Sequence, residues 1–202
     1  HLFKAVSLTK IMTKLTDCNY RIGLTGTLDN SKTHKLVLQG LFGQVNKVVS
    51  TSELIERKQL ANLKIMCLNL KYPESEAKKV YGVKYFEELE YLTQNTARNK
   101  YIRNLALALN GNTLCLFQLV EKHGEILYNL IKEKADPKRK IFFVYGGTET
   151  DDREKIRAIT EKSDNAIIIA SFGTFSTGIN IRNLHNIVFS SPSKSPIRIL
   201  QS

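Results

Sequence analysis

Apolar positions fall into two rhythms along the chain. Short, mostly apolar runs at Thr113–Phe117, Lys140–Val144, Ala166–Ala170 and Ile187–Phe189 predict strands, with the unbroken run Ala166–Ala170 buried on both faces. Two earlier runs, Arg21–Leu24 and Leu63–Leu70, predict further strands. Between them the spacing becomes helical. In Ala97–Leu109 the residues Tyr101, Ile102, Leu105 and Leu109 share a face, and in Glu121–Lys134 so do Ile126, Leu127, Leu130 and Ile131. Asp151–Thr160 opens on acids, which suit the positive end of a helix dipole, and turns Ile156 and Ile159 inward. Strands alternating with helices predict an α/β fold with a parallel sheet covered on both faces.

The first third has a different texture. Lys4–Leu15 predicts a helix, Arg21–Leu24 runs into Thr25-Gly26-Thr27 and the polar turn Asp29-Asn30-Ser31, and Ser52–Gln59 predicts a charged helix. The pattern gives the last part of one α/β unit over residues 1–52, a linker at 53–62, and a more complete unit over 63–202.

Charge narrows the choice of partner. Lysine and arginine total 30 against 19 acids, a net charge of +11 spread along the chain, which favours a polyanion: nucleic acid first, an anionic membrane second. No apolar stretch approaches membrane-span length, and the first residues lack a charged-then-apolar leader pattern, so the expected setting is cytoplasmic with no membrane partner. Three cysteines (Cys18, Cys67, Cys115) form no CxxC pair and are expected as buried, reduced thiols. His1, His34, His123 and His185 lack ligand spacing, so no metal site is expected.

Candidate chemistry gathers in glycine- and hydroxyl-bearing stretches that follow predicted strands. Ser171 to Gly178 carries Ser171, Thr174, Ser176 and Thr177 with Gly173 and Gly178, a surface suited to phosphate oxygens. Asn180 either caps a turn or hydrogen-bonds a ribose hydroxyl or phosphate-bound water. Thr25-Gly26-Thr27 is either a tight turn or a relay beside a nucleotide. Gly146-Gly147-Thr148 either caps a helix, with Thr148 or Thr150 at the N-cap, or offers Gly147 and Thr148 to a nucleic-acid phosphate. Glu149, Asp151 and Asp152 oppose that second role. A dinucleotide-binding enzyme would need GxGxxG after its first strand, and the chain has none.

The order of these pieces resembles the motor core of superfamily 2 helicases. Thr25-Gly26-Thr27 matches their motif III, Leu114–Phe117 the motif IV strand, Ala170 to Ile181 motif V, and Gln201 the start of motif VI. His1 falls where the last letter of a DExH box would stand. The resemblance covers essentially the whole chain. It implies RecA-like domains of the P-loop NTPase type, here the end of one and most of a second, with ATP and Mg2+ in the cleft of the complete protein. Single-stranded or branched DNA would lie across both domains, and the activity implied is remodelling of branched DNA in recombination, repair or replication. By position, His1, Thr25, Gly26 and Thr27 would serve catalysis, Thr25 and Thr27 by coupling the nucleotide state to DNA. Gly178, Asn180 and Gln201 would meet ATP, and Ser176 and Thr177 the strand. The chain lacks GxxxxGK[ST], the acids before His1 and the arginine pair after Gln201, so it is expected to be a piece that does not hydrolyse ATP without the rest of the motor. A passive nucleic-acid-binding module, a restriction-enzyme motor and an RNA helicase share these features, and the motifs do not separate DNA from RNA.

Overall fold

The computed structural model describes residues 6–25, 32–175, 181–195 and 199. Contacts along the backbone group the chain into two units, His1–Asn69 and Leu70–Ser202.

Among its described residues the first unit holds helices α1 (Val6–Lys14), α2 (Lys32–Phe42) and α3 (Thr51–Glu56), and no strand. Gly43 ends α2 in the left-handed region (φ +86°), which brings its N–H to within 2.9 Å of Gln39 O. Ser50 starts α3 by accepting the Glu53 N–H on its hydroxyl at 3.2 Å. The strands expected at Arg21–Leu24 and Leu63–Leu70 are irregular chain, with Ile22, Leu24, Leu63 and Ile65 exposed. A branched apolar run becomes a strand where neighbours complete its ladder and cover it, and these runs have neither among the described residues. Cys67 lies on the second of them and is exposed, as is Cys18. Of the three thiols only Cys115 matches the expectation of burial, which pushes it up to about 12.

The second unit opens with α4 (Glu74–Lys79), α5 (Tyr85–Gln94) and α6 (Thr96–Ala108). Then follow β1 (Thr113–Phe117), a π-helical turn (Val120–Gly124), α7 (Glu125–Lys134), β2 (Ile141–Val144), α8 (Thr150–Glu161), β3 (Ile167–Ser171), the short α9 (Phe172–Phe175) and β4 (Asn186–Phe189). The four strands form one parallel sheet in the order β2-β3-β1-β4. Thr113 stands opposite Ile167 and Asn186, and Ile141 opposite Ile167. Helical crossovers cover both faces, so the central strands must be apolar throughout. On one face Cys115, Phe117, Ile167 and Ile169 pack against Ile102 and Ala106 of α6 and Leu127 and Ile131 of α7. On the other, Leu114, Leu116, Ile168 and Ala170 meet Ile156 of α8 with Phe172, Ile181 and Leu184.

Side chains staple the amino edge of this sheet. Asn112, fully buried, donates from Nδ2 to the carbonyls of Thr160 (2.9 Å), Ser163 (2.5 Å) and Asn183 (2.7 Å), and accepts the Ala166 N–H on Oδ1 at 2.7 Å. Its own N–H donates to His185 Nδ1 at 3.1 Å. Gly111 has to be a glycine twice over: its φ is +86°, and a Cβ there would sit 2.7 Å from His185 Cγ. Arg139 donates to Leu107 O, Leu109 O and Asn165 O at 2.8, 3.0 and 3.1 Å, tying the end of α6 to the starts of β2 and β3.

Replacing Asn112 with alanine removes the partners of the buried Ala166 N–H and of Asn183 O, while Thr160 O keeps the Ser163 N–H and Ser163 O the Asn183 amide, and is expected to lower unfolding free energy by about 3 kcal/mol. Asn112→Asp should be at least as harmful, since it keeps the acceptor but sets a carboxylate against three carbonyls. Urea unfolding of the two variants checks this; a loss under about 1 kcal/mol in both would remove Asn112 from its central place.

Candidate nucleic-acid interface

In a parallel α/β sheet the loops after the strands converge at the carboxyl edge, where ligands bind. Each expected hydroxyl loop that the structure describes in the second unit lies there. After β2, Tyr145 N–H donates to Thr148 Oγ1 at 3.1 Å and Thr148 N–H to Tyr145 O at 3.0 Å, closing a tight turn. Arg153 reaches back from α8, donating from Nε to Thr148 O at 2.8 Å and from Nη2 to Gly146 O at 3.2 Å. Gly147 lies against the Tyr145 ring, with a hypothetical Cβ 2.7 Å from Cε2. The N-cap of α8 is Glu149 and makes no side-chain cap bond, so neither Thr148 nor Thr150 caps the helix. Thr148 instead spends its oxygen inside the turn, and no acceptor for its hydroxyl proton is found among the described residues.

After β3 the chain does not enter an open loop at once. Ser171 still belongs to the strand, and Phe172–Phe175 makes a helical turn. Thr174 is nearly buried (8% exposed), its Oγ1 3.0 Å from Ser171 O and 2.9 Å from Ser171 Oγ. Its hydroxyl shapes the turn. Thr25 is exposed on irregular chain in the first unit. His1, Gly26, Thr27, Ser176, Thr177, Gly178, Asn180 and Gln201 lie outside the described residues.

A group absent from the sequence expectation occupies the ends of β1 and β4. Ser190 and Ser191 N–H both donate to Leu116 O, at 2.9 and 3.3 Å, continuing the ladder past β4. Ser190 O accepts from Arg98 Nη2 at 2.6 Å, and Ser191 Oγ accepts the Gln118 N–H at 3.0 Å. Ser191 Oγ also lies 2.8 Å from His123 Nδ1. No other acceptor for the Ser191 proton is found among the described residues, so that proton points to Nδ1 and the neutral ring keeps its own on Nε2. Burial, with Arg98 adding to it, lowers the imidazole to about 3. Burial also lowers the Arg98 guanidinium. Proximity of Arg98 to Ser190 was invisible in the sequence; the one local signal for His123 is the glycine that follows it. Gly124 N–H donates to Leu119 O at 2.9 Å, and a Cβ on Gly124 would lie 2.6 Å from the Phe117 ring.

No group of three or more potential metal ligands occurs among the described residues, and among them no helix is long and apolar enough to cross a membrane.

No family model matches the chain. All of it is similar to the ATP-dependent DNA helicase uvsW of Enterobacteria phage T4, 36% identical over 205 aligned residues. The crystal structure of T4 UvsW superposes with a TM-score of 0.57 and 34% identity over 64% of this chain. The chain spans 40% of the length of that relative and 26% of the solved chain. The parallel sheet with its flanking helices is thus RecA-like, as in that helicase.

The depressed histidine makes a signed prediction. An unfolded chain protonates His123 near 6.5, the folded one near 3, so its contribution to stability is complete above pH 6.5 and is lost as pH falls towards 3. Between those values it should cost up to about 1.4 kcal/mol per pH unit. Urea midpoints at pH 7 and pH 5 should diverge in the wild type and converge in His123→Gln; an equal acid loss in both would refute the assignment.

Proposed function

The chain is UvsW-like over its whole length, and on that premise we propose that it forms part of an ATP-dependent DNA helicase or translocase that remodels branched DNA. The full-length similarity carries this reading, because it spans both the stretch that holds Thr25 and the loops after the sheet's strands. The second unit would present its carboxyl edge to the DNA backbone: Gly147 and Thr148 from the described loops, Ser176 and Thr177 from the segment that follows α9, with the buried Thr174 shaping the turn that leads into that segment. A net charge of +11 supports a polyanionic track and its steering towards the site.

ATP with Mg2+ would be the energy source. Gly178, Asn180 and Gln201 of this chain are proposed to face the nucleotide, and His1, Thr25, Gly26 and Thr27 to link nucleotide state to DNA. The phosphate loop and the remaining arginines would come from the rest of the motor. The same RecA-like unit acting only as a DNA-binding platform would keep the strand contacts and lose the dependence on ATP.

Anisotropy of labelled single-stranded, duplex and forked DNA across a salt series tests the interface. Binding should favour strand or fork and weaken steeply with salt. The double change Ser176→Ala, Thr177→Ala should weaken it roughly tenfold, as loss of hydrogen bonds to phosphate implies. In the full motor Asn180→Ala should lower ATP turnover. Salt-insensitive or absent binding would reduce the charge to surface solvation and sink the interface.

A further inference from the structure

Four side-chain atoms among the described residues are buried without a hydrogen-bond partner: Arg98 Nη1, Asn99 Oδ1, Gln118 Oε1 and His123 Nε2. Three of these side chains belong to residues bonded to one two-residue stretch. Arg98 holds Ser190 O, while the Gln118 backbone and the His123 ring both meet Ser191 Oγ. We propose that Arg98 and His123, gathered on Ser190-Ser191 at the carboxyl ends of β1 and β4, form a phosphate-binding site.

The unpaired donors define the ligand's charge. Nη1 of Arg98 and Nε2–H of His123 both need acceptors, and the guanidinium is a partly buried cation with no ion pair among the described residues. Water would satisfy the hydrogen bonds but leave the charge uncompensated; an anion does both. A phosphate oxygen is the acceptor that arginine and a neutral imidazole can share. Gln118 Oε1, an acceptor, would take a water bridging to that phosphate.

The backbone around His123 is also built for placement. A π-helical turn carries one more residue per hydrogen-bonded loop than an α-helix, and such turns concentrate at functional sites. Here Val120–Gly124 is closed by the Gly124 N–H to Leu119 O bond, with the Phe117 ring pressed against Gly124. The imidazole is fully buried, with Nδ1 2.8 Å from Ser191 Oγ.

The phosphate belongs either to a DNA strand or to a nucleotide, and the site rests on the function proposed above only for that choice. Chain labelled with 15N-histidine would be titrated near pH 7, at constant ionic strength, with inorganic phosphate, ATP and a short oligothymidylate. The His123 resonance, assigned by its loss in His123→Gln, should shift saturably with inorganic phosphate and more tightly with one of the other two. A tighter response to oligothymidylate assigns the site to the strand; a tighter response to ATP assigns it to the nucleotide. Arg98→Gln should weaken the response at least about tenfold, with Arg98→Lys recovering part of it. No saturable His123 shift with any probe overturns the site, even where anisotropy still reports DNA binding. A shift with phosphate in a chain that binds no DNA supports the site and sinks the interface instead. The wild-type titration stands without the variants should either fail to fold.

Discussion

One buried amide orders this unit. Asn112 ties the end of α8, the start of β3 and the segment before β4 together, bonding four backbone groups at once and sharing Thr160 O with the Ser163 N–H and Ser163 O with the Asn183 amide. Parallel strands leave such ends at every crossover, because each helix must stop and each strand start in the same crowded layer. A carboxamide is the side chain that can donate and accept there together, without carrying a charge into the apolar sheet. With the starts of the strands aligned by it, their ends arrive at one level and the loops after them face the same way.

The two edges of the sheet then differ in chemistry. At the amino edge, Asn112 and Arg139 have their side-chain N–H groups matched to carbonyls, and Asn112 Oδ1 accepts the Ala166 N–H. At the carboxyl edge, Arg98 and His123 keep unmatched donors, and Thr148 keeps a hydroxyl proton. Saturated polar groups specify a fold, whereas unsaturated buried ones persist only when something else compensates them. The unmatched donors named here therefore lie on one side of the unit, the side on which the proposed helicase reading needs a DNA track.

The sequence shows this arrangement unevenly. The runs at Thr113–Phe117 and Ala166–Ala170 are legible because burial on both faces demands unbroken apolar strands, and α6 and α8 because one face of each is buried. Leu63–Leu70, largely apolar but carrying Lys64 and Asn69, stays irregular, since strand formation depends on neighbours that composition does not reveal. Helix α4 is six residues long, and its signals were Pro73, acids in the first turn and Lys78-Lys79 in the last. The hydroxyl loops announced themselves by residue type. Arg98 and Ser190 are separated by 92 positions, and His123 and Ser191 by 68, so their meeting belongs to the topology alone.

The stapling by Arg139 and Asn112 also has a mechanical side. Both anchors sit behind the strands, while the loops that would grip a DNA strand sit in front of them. A pull on those loops runs along the strand axes, where the hydrogen bonds between parallel neighbours resist as a set in shear instead of opening one by one from an end. The sheet would then transmit load as a stiff plate, and yielding would fall to the turns at its front.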